Sequence, residues 1–426
     1  MASSRIDSLA TAIAASAQEL RTLLAEHDLE EPSFSMNYPT SVKFPPALDE
    51  ARNNLLHAAC EIHDLLLDPA DLLRSYAAHA NLVSLHFIQQ FNIANLVPIS
   101  DGAMITFAAL AEQCRLPEGD VRRLLRHAMT IRVFAEPRPN EVVHTRASML
   151  LREEGIHGWI GSTCENSWPG ATRTIESLKR FPGSSDPTQS GFALANDNLA
   201  LYSALAQSPE RAATFAASKR GYASGSSFGP AAFLEASRSS FQSLPQGSLF
   251  VDVGGAHGTI SLAAAQIYPH LHYIVQDLPE VIEQASQNPN GSPENVEFQV
   301  HDFFIPQQLR GVAVFYLRHV LHNWGDAHAI NILKSLVPAM GRGTRVLIHD
   351  HVLDHRENPM WKRRQDTAMD INMLVLLNAR ERDEAMWRTL LRDADPRFKW
   401  VGVEKPAGST LAVIEAVWED FNEISE

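Results

Sequence analysis

One window, residues 249–277, constrains this chain more than any other: LFVDVGGAHGTISLAAAQIYPHLHYIVQD. Phe250, Val251 and Val253 form a short apolar β run, and Gly254, Gly255 and Gly258 follow it directly. An Ala-rich helical pattern over 260–267 leads to a second apolar run, 273–275, which ends near Asp277. A turn this tight needs residues without a Cβ, and it lets a ligand approach the backbone at the helix N-terminus. An acid about 20 residues on, at the end of the second strand, is placed to hold a pair of ribose hydroxyls. The window reads as a site for a nucleoside-containing cofactor; the plainer alternative is a βαβ crossover with a glycine-rich turn.

Apolar runs continue at 296–300, 313–317, 344–349 and 410–418, alternating with helical patterns. That alternation predicts a doubly wound, mostly parallel α/β sheet beginning near Gln246. Upstream, apolar spacing of three or four predicts helices over 4–27, 50–66, 69–90 and 107–114, with a Pro- and Ser-containing linker over 31–46. Residues 104–148 carry a winged-helix pattern. Helix 107–114, turn 115–120 and helix 121–131 precede Val133-Phe134, Pro137, Pro139 and 142–144, which form a small β wing. The expected division is an N-terminal helix and linker (1–46), a winged-helix module (47–155), a helical connector (156–245) and a Rossmann-like domain (246–426).

Arg122, Arg123, Arg126 and His127 lie on the second helix of that module, where they would meet a phosphate backbone. The other reading is that the module packs two copies of the chain together. A net charge of −14 over 426 residues favours packing over a nucleic-acid partner. Hydrophobic and charged contents of 45% and 20% are those of a soluble globular protein. Cys60, Cys114 and Cys164 are scattered, as expected in a reducing compartment. The first turns carry Arg5, Asp7 and Glu19 within the apolar pattern, unlike a secretory signal, and no apolar run approaches the roughly 20 residues of a membrane span. The expectation is a cytoplasmic enzyme with no membrane partner and no metal, since no spacing such as H-E-x-x-H occurs.

Asp252-x-Gly254-x-Ala256-x-Gly258 resembles the D-x-G-x-G-x-G motif of class I S-adenosylmethionine (SAM)-dependent methyltransferases, with Ala256 in place of the middle glycine. Residues 316–326, YLRHVLHNWGD, are similar to the segment after the fourth strand in plant and fungal small-molecule O-methyltransferases. Residues 370–373, 378–382 and 395–399 extend that likeness, which spans about 60–420 of the chain. The resemblance implies a C-terminal Rossmann-like SAM-binding domain behind a mainly α winged-helix domain that forms a homodimer. It also implies site roles. Gly254, Gly255 and Gly258 shape the turn under SAM, and Asp277 holds the ribose. Asp302, Phe303 and Trp324 surround the adenine, and Arg318 lies near the cofactor's carboxylate. His322 is the general base, oriented by Asp350 and Glu381. Trp168, His319, Met373 and Leu377 line the pocket of a small-molecule substrate.

The chemistry stands on its own. A phenol or enol hydroxyl titrates well above neutral pH, so a base must take its proton as it attacks. Histidine titrates near working pH, and a carboxylate on its other nitrogen fixes the tautomer and stabilises the imidazolium. His319 and His351 are the competing bases. Three functions are compatible with the chain. The first is O-methylation of an aromatic or polyketide-type compound in fungal secondary metabolism. The second is a SAM-bound pericyclase performing dehydration with hetero-Diels–Alder or Alder-ene closure, in which the sulfonium is a fixed charge and Arg318-His319 polarise a carbonyl. The third is a winged-helix regulator with a degenerate enzyme domain.

Overall fold

The computed structural model describes residues 4–42, 44–77, 79–223, 228–286, 292–354, 360–406 and 409–420. The chain forms two compact units. One comprises Met1–Pro169, Tyr202–Gly225 and Asn358–Arg364; the other comprises Gly170–Leu201, Ser226–Glu357 and Gln365–Glu426.

The first unit opens with helix Arg5–Glu26, whose Ser4 Oγ accepts the Asp7 N–H at 3.2 Å and so satisfies an otherwise unpaired donor of the first turn. It packs on helix Pro46–Leu66. Residues 69–90, expected as one helix, run as two: Pro69–Tyr76 and His79–Gln90. The break falls at Ala77, whose N–H closes on the Leu73 carbonyl while its own carbonyl accepts from His79; Ala78 lies outside the described residues.

Helices Phe107–Cys114 and Glu118–Thr130 bury Phe107, Leu110, Val121 and Leu125 in one core. Beside them runs a three-stranded antiparallel sheet, β1 (Ile105–Thr106), β2 (Ala135–Arg138) and β3 (Glu141–Val143), in the order β1-β3-β2. Val133 and Phe134, expected in the wing, precede β2. Phe134 turns the chain with φ 64° and drops its ring into the core. All three arginines of the second helix face carboxylates: Arg122 pairs with Glu118, Arg123 with Asp120 at 3.2 Å, and Arg126 with Glu136 at 2.7 and 2.8 Å.

The second unit is built on seven strands: β4 (Leu249–Val253), β5 (His272–Asp277), β6 (Val296–Val300), β7 (Val312–Arg318), β8 (Arg345–Asp350), β9 (Phe398–Glu404) and β10 (Ala412–Trp418). Their order is β6-β5-β4-β7-β8-β10-β9. The strands from β4 to β8 are parallel, and β10 runs antiparallel to both of its neighbours. Alternation along β7 sends Val314 and Tyr316 into one core, with Phe233, Phe250 and Tyr273, and Phe315 and Leu317 into the other, with Trp387 and Trp418. Strand β9 was not anticipated. It is an edge strand whose Lys399, Gly402 and Glu404 dilute the apolar signal.

Chain order reverses at β4, with β5 on one side and β7 on the other, so the carboxyl ends of β4 and β7 flank the crevice where open α/β sheets bind ligands. Among the described residues no helix is long and apolar enough to cross a membrane.

Candidate active site

The loop after β4 is pinned to β5, because the Gly254 and Gly255 N–H groups both donate to the Gln276 carbonyl, at 2.8 and 3.1 Å. Asp252, buried in the strand, accepts from Ser261 Oγ at 2.7 Å. Its carboxyl explains Gly255, since a Cβ there would come within 2.6 Å of Asp252 Cγ. Burial pushes the Asp252 carboxyl up to about 6. Gly258 opens helix Thr259–Ile267 with φ 68°, and a Cβ there would meet Val275 at 3.0 Å and Phe298 at 3.2 Å. Ala256 is also left-handed, at φ 49°, a conformation that costs a residue with a Cβ roughly 1–2 kcal/mol.

Asp277, at the end of β5, is held by two backbone donors: Ala256 N–H to Oδ2 at 2.9 Å and Leu278 N–H to Oδ1 at 2.8 Å. Beyond β6, Asp302 Oδ1 accepts the Phe304 N–H at 2.9 Å. The Trp324 ring meets Phe303 and Phe304 edge-on, with centroids 6.1 and 4.8 Å away. Asp302, Phe303 and Trp324 thus gather at one corner. Arg318 closes β7, where its Nη2 donates to the Phe228 carbonyl at 2.6 Å and its buried Nε makes no hydrogen bond among the described residues.

His319 follows with a left-handed backbone, φ 52°, and a short helical turn, Leu321–Asn323, then carries His322 into the interior. His322 Nδ1 lies 2.8 Å from Glu381 Oε1 and 3.6 Å from Asp350 Oδ1, and its backbone N–H points to Asp350 Oδ2 at 3.4 Å. The close contact assigns the tautomer: Nδ1–H donates to Glu381, and the ring's lone pair lies on Nε2, as a base requires. Burial raises the Asp350 carboxyl to about 6 despite His322, and the Glu381 charge adds to the rise. Burial acts on Glu381 in the same sense. There, however, His322, His351 and Arg382 together outweigh it and hold the carboxyl below its ordinary value. The acid that touches the imidazole is therefore the one whose charge its surroundings favour.

The competing histidines lack such a partner. His319 Nδ1 reaches Asp350 Oδ1 only at 3.7 Å, and burial together with His322 and Arg318 holds its ring well below the usual value. Burial pushes His351 down to about 4, and its Nε2 has no hydrogen bond among the described residues.

Met373 and Leu377 are buried near the end of helix Met360–Leu377, in the part that belongs to the second unit. Trp168 is half-buried, belongs to the first unit and is the first residue of helix Trp168–Arg180, after a π-helical turn at Thr163–Ser167.

Two positioning groups were not singled out from the sequence. Arg382, fully buried, donates to the carbonyls of Leu321 at 3.0 Å and Trp324 at 2.8 Å and to Asp326 Oδ1 at 2.8 and 3.0 Å, which clamps the loop carrying His322. Asp370 Oδ1 takes the Glu381 N–H at 2.8 Å. Their signal was faint: an arginine directly after Glu381, and an acid eleven positions before it.

Residues 191–396 match the O-methyltransferase domain family. The chlorophenol O-methyltransferase of Trichoderma longibrachiatum is 33% identical, over 98% of this chain and 91% of its own length. O-methyltransferase pyvH of Aspergillus violaceofuscus is 34% identical, over 98% of this chain and 100% of its own. The structure of LepI in complex with SAM shares the fold, with a TM-score of 0.74 at 20% identity, covering 96% of this chain and 100% of that one.

Proposed function

This chain belongs to the O-methyltransferase family, whose members use SAM, and from that premise we propose that it methylates a hydroxyl of an aromatic or polyketide-type small molecule in fungal secondary metabolism, with His322 as the base. The observation that carries the reading is the 2.8 Å contact between His322 Nδ1 and a charged, buried Glu381.

The residues fit SAM on three counts. The surface of the turn at Gly254, Gly255 and Ala256 is open, Asp277 stands at the end of β5 held by backbone donors, and the buried Arg318 Nε is unpaired and suits a carboxylate. Asp302, Phe303 and Trp324 would take the adenine. Bound there, SAM supplies an electrophilic methyl on a sulfonium. His322 Nε2 takes the hydroxyl proton, Glu381 balances the imidazolium through Nδ1–H, and Arg382 keeps the loop in place. Met373 and Leu377 supply apolar lining on the second unit, where His319 is the remaining substrate contact in this reading.

The N-terminal region is the proposed winged-helix dimerisation domain. The exposed Leu65, Leu66, Leu73 and Tyr76 on helices Pro46–Leu66 and Pro69–Tyr76 support a surface for a second copy. A cytoplasmic location is supported by three cysteines outside any disulfide.

The test is incubation with methyl-labelled SAM and a panel of phenols and polyketides. Label in the product together with S-adenosylhomocysteine is the expected result. Retained SAM without label transfer, alongside ring closure of the substrate, replaces this reading with the pericyclase. His322→Ala should lower kcat by about 10²–10⁴ with SAM affinity unchanged; a parental rate rejects the base assignment.

A further inference from the structure

We propose that His319, His322 and Asp350 form a binding site for a divalent transition-metal ion of the zinc type, and that a metal held there switches the base off. Asp350 Oδ1 stands 3.6 Å from His322 Nδ1 and 3.7 Å from His319 Nδ1. One ligand atom from each of the three residues lies within 4.8 Å of the others. A tetrahedral ion bound at about 2.0–2.2 Å holds its ligands about 3.3–3.6 Å apart, so Asp350 already stands near that distance from both histidines, and the edge between the two imidazoles, within 4.8 Å, has the furthest to close.

The surroundings suit a cation. Imidazole and carboxylate are the donor set that zinc-type ions select. Two carboxylates, Asp350 and Glu381, are buried beside the His322 ring and supply negative charge for a cation, and three protein ligands leave the fourth position of a tetrahedral ion to water. His319 is half-buried and turns its Nδ1 toward Asp350, so it stands on the solvent side of the cluster, where an ion would enter. Its left-handed backbone, φ 52°, is a strained state that persists only where the surroundings enforce it.

The consequence for catalysis follows from the tautomer and rests on the proposed role of His322. In the resting ring the proton sits on Nδ1 and the lone pair on Nε2. A metal that takes Nδ1 sends that proton to Nε2, with no net proton released. The ring then has no lone pair to accept a hydroxyl proton. The turn at Gly254–Gly258 and Asp277 is untouched, so cofactor affinity is unchanged while turnover stops.

The test uses the full-length, metal-stripped chain with Co²⁺ alone and then Zn²⁺ alone. The expected result is one Co²⁺ per chain with the intense visible absorption of a four-coordinate site, displaced by Zn²⁺. Zn²⁺ should lower kcat at saturating SAM without changing SAM affinity, and a chelator should restore it. His319→Gln should weaken Co²⁺ affinity by about 10-fold or more and remove the four-coordinate band, and Asp350→Asn should do the same. His351→Gln, whose ring lies 6.0 Å from that of His319, should keep both. Weak six-coordinate absorption that His319→Gln leaves unchanged overturns the site and points to surface histidines. Metal binding as described in a chain that transfers no methyl leaves the site standing and removes the catalytic reading instead.

Discussion

Glu381→Gln tests the catalytic arrangement most directly, because it removes one charge and almost no volume. At an effective dielectric of about 20, two unit charges at the observed 2.8 Å attract by about 6 kcal/mol. Glutamine keeps an oxygen that accepts from Nδ1–H, and Asp350 stays 3.6 Å away with a charge of its own above about pH 6. About half of the Coulomb term then reaches the transition state, about 3 kcal/mol, or on the order of 10² in kcat. If the amide turns its NH₂ toward the ring, the tautomer is lost and the fall approaches about 10⁴, as in other His–carboxylate pairs. The assay is a single-turnover rate at saturating SAM beside calorimetric SAM affinity, which the substitution leaves unchanged. A folded Glu381→Gln protein within about 3-fold of the parental rate would show that this carboxylate does not balance the imidazolium, and the reasoning from the 2.8 Å contact would fail.

Three further outcomes follow from particular residues. Ala256→Gly relieves a left-handed backbone; roughly 1–2 kcal/mol of relief exceeds the roughly 0.4–1 kcal/mol that glycine costs through the unfolded chain, so the denaturant midpoint should rise, and an unchanged or lower midpoint contradicts the strain. Asp252 holds its proton more tightly folded than unfolded, at about 6 against 3.8, so its contribution is fully present below about pH 4 and is lost as pH rises through 6; it amounts to about 3 kcal/mol. Asp252→Asn should flatten the pH dependence of unfolding over that window, and identical slopes would exclude the group. Arg382→Met strips the buried Leu321 and the neighbouring Trp324 carbonyls of their donor, costing about 1–3 kcal/mol of stability and lowering kcat more than SAM affinity; equal stability and rate would show that the clamp is idle.

Much of the second unit was legible in the chain. Apolar runs marked β4 to β8 and β10, and the turn Gly254–Gly258 with Asp277 falls inside one βαβ unit, so its geometry follows from neighbours in sequence. The edge strand β9 escaped because its polar positions mimic a loop, and the two helices within 69–90 escaped because apolar spacing carries across a single break at Ala77. The candidate base emerged from resemblance, since five histidines at 319–351 share the local pattern.

By itself the sequence determined the doubly wound sheet and the glycine turn at its reversal point, because strand alternation and a positive φ are properties of a few consecutive residues. Only the tertiary structure decided which acid holds His322. Glu381 lies 59 positions away and Asp350 lies 28, yet the more distant one makes the 2.8 Å contact and has its charge favoured by its surroundings. Charge partnerships depend on distance in space and on how much water burial removes, and neither is written in chain order.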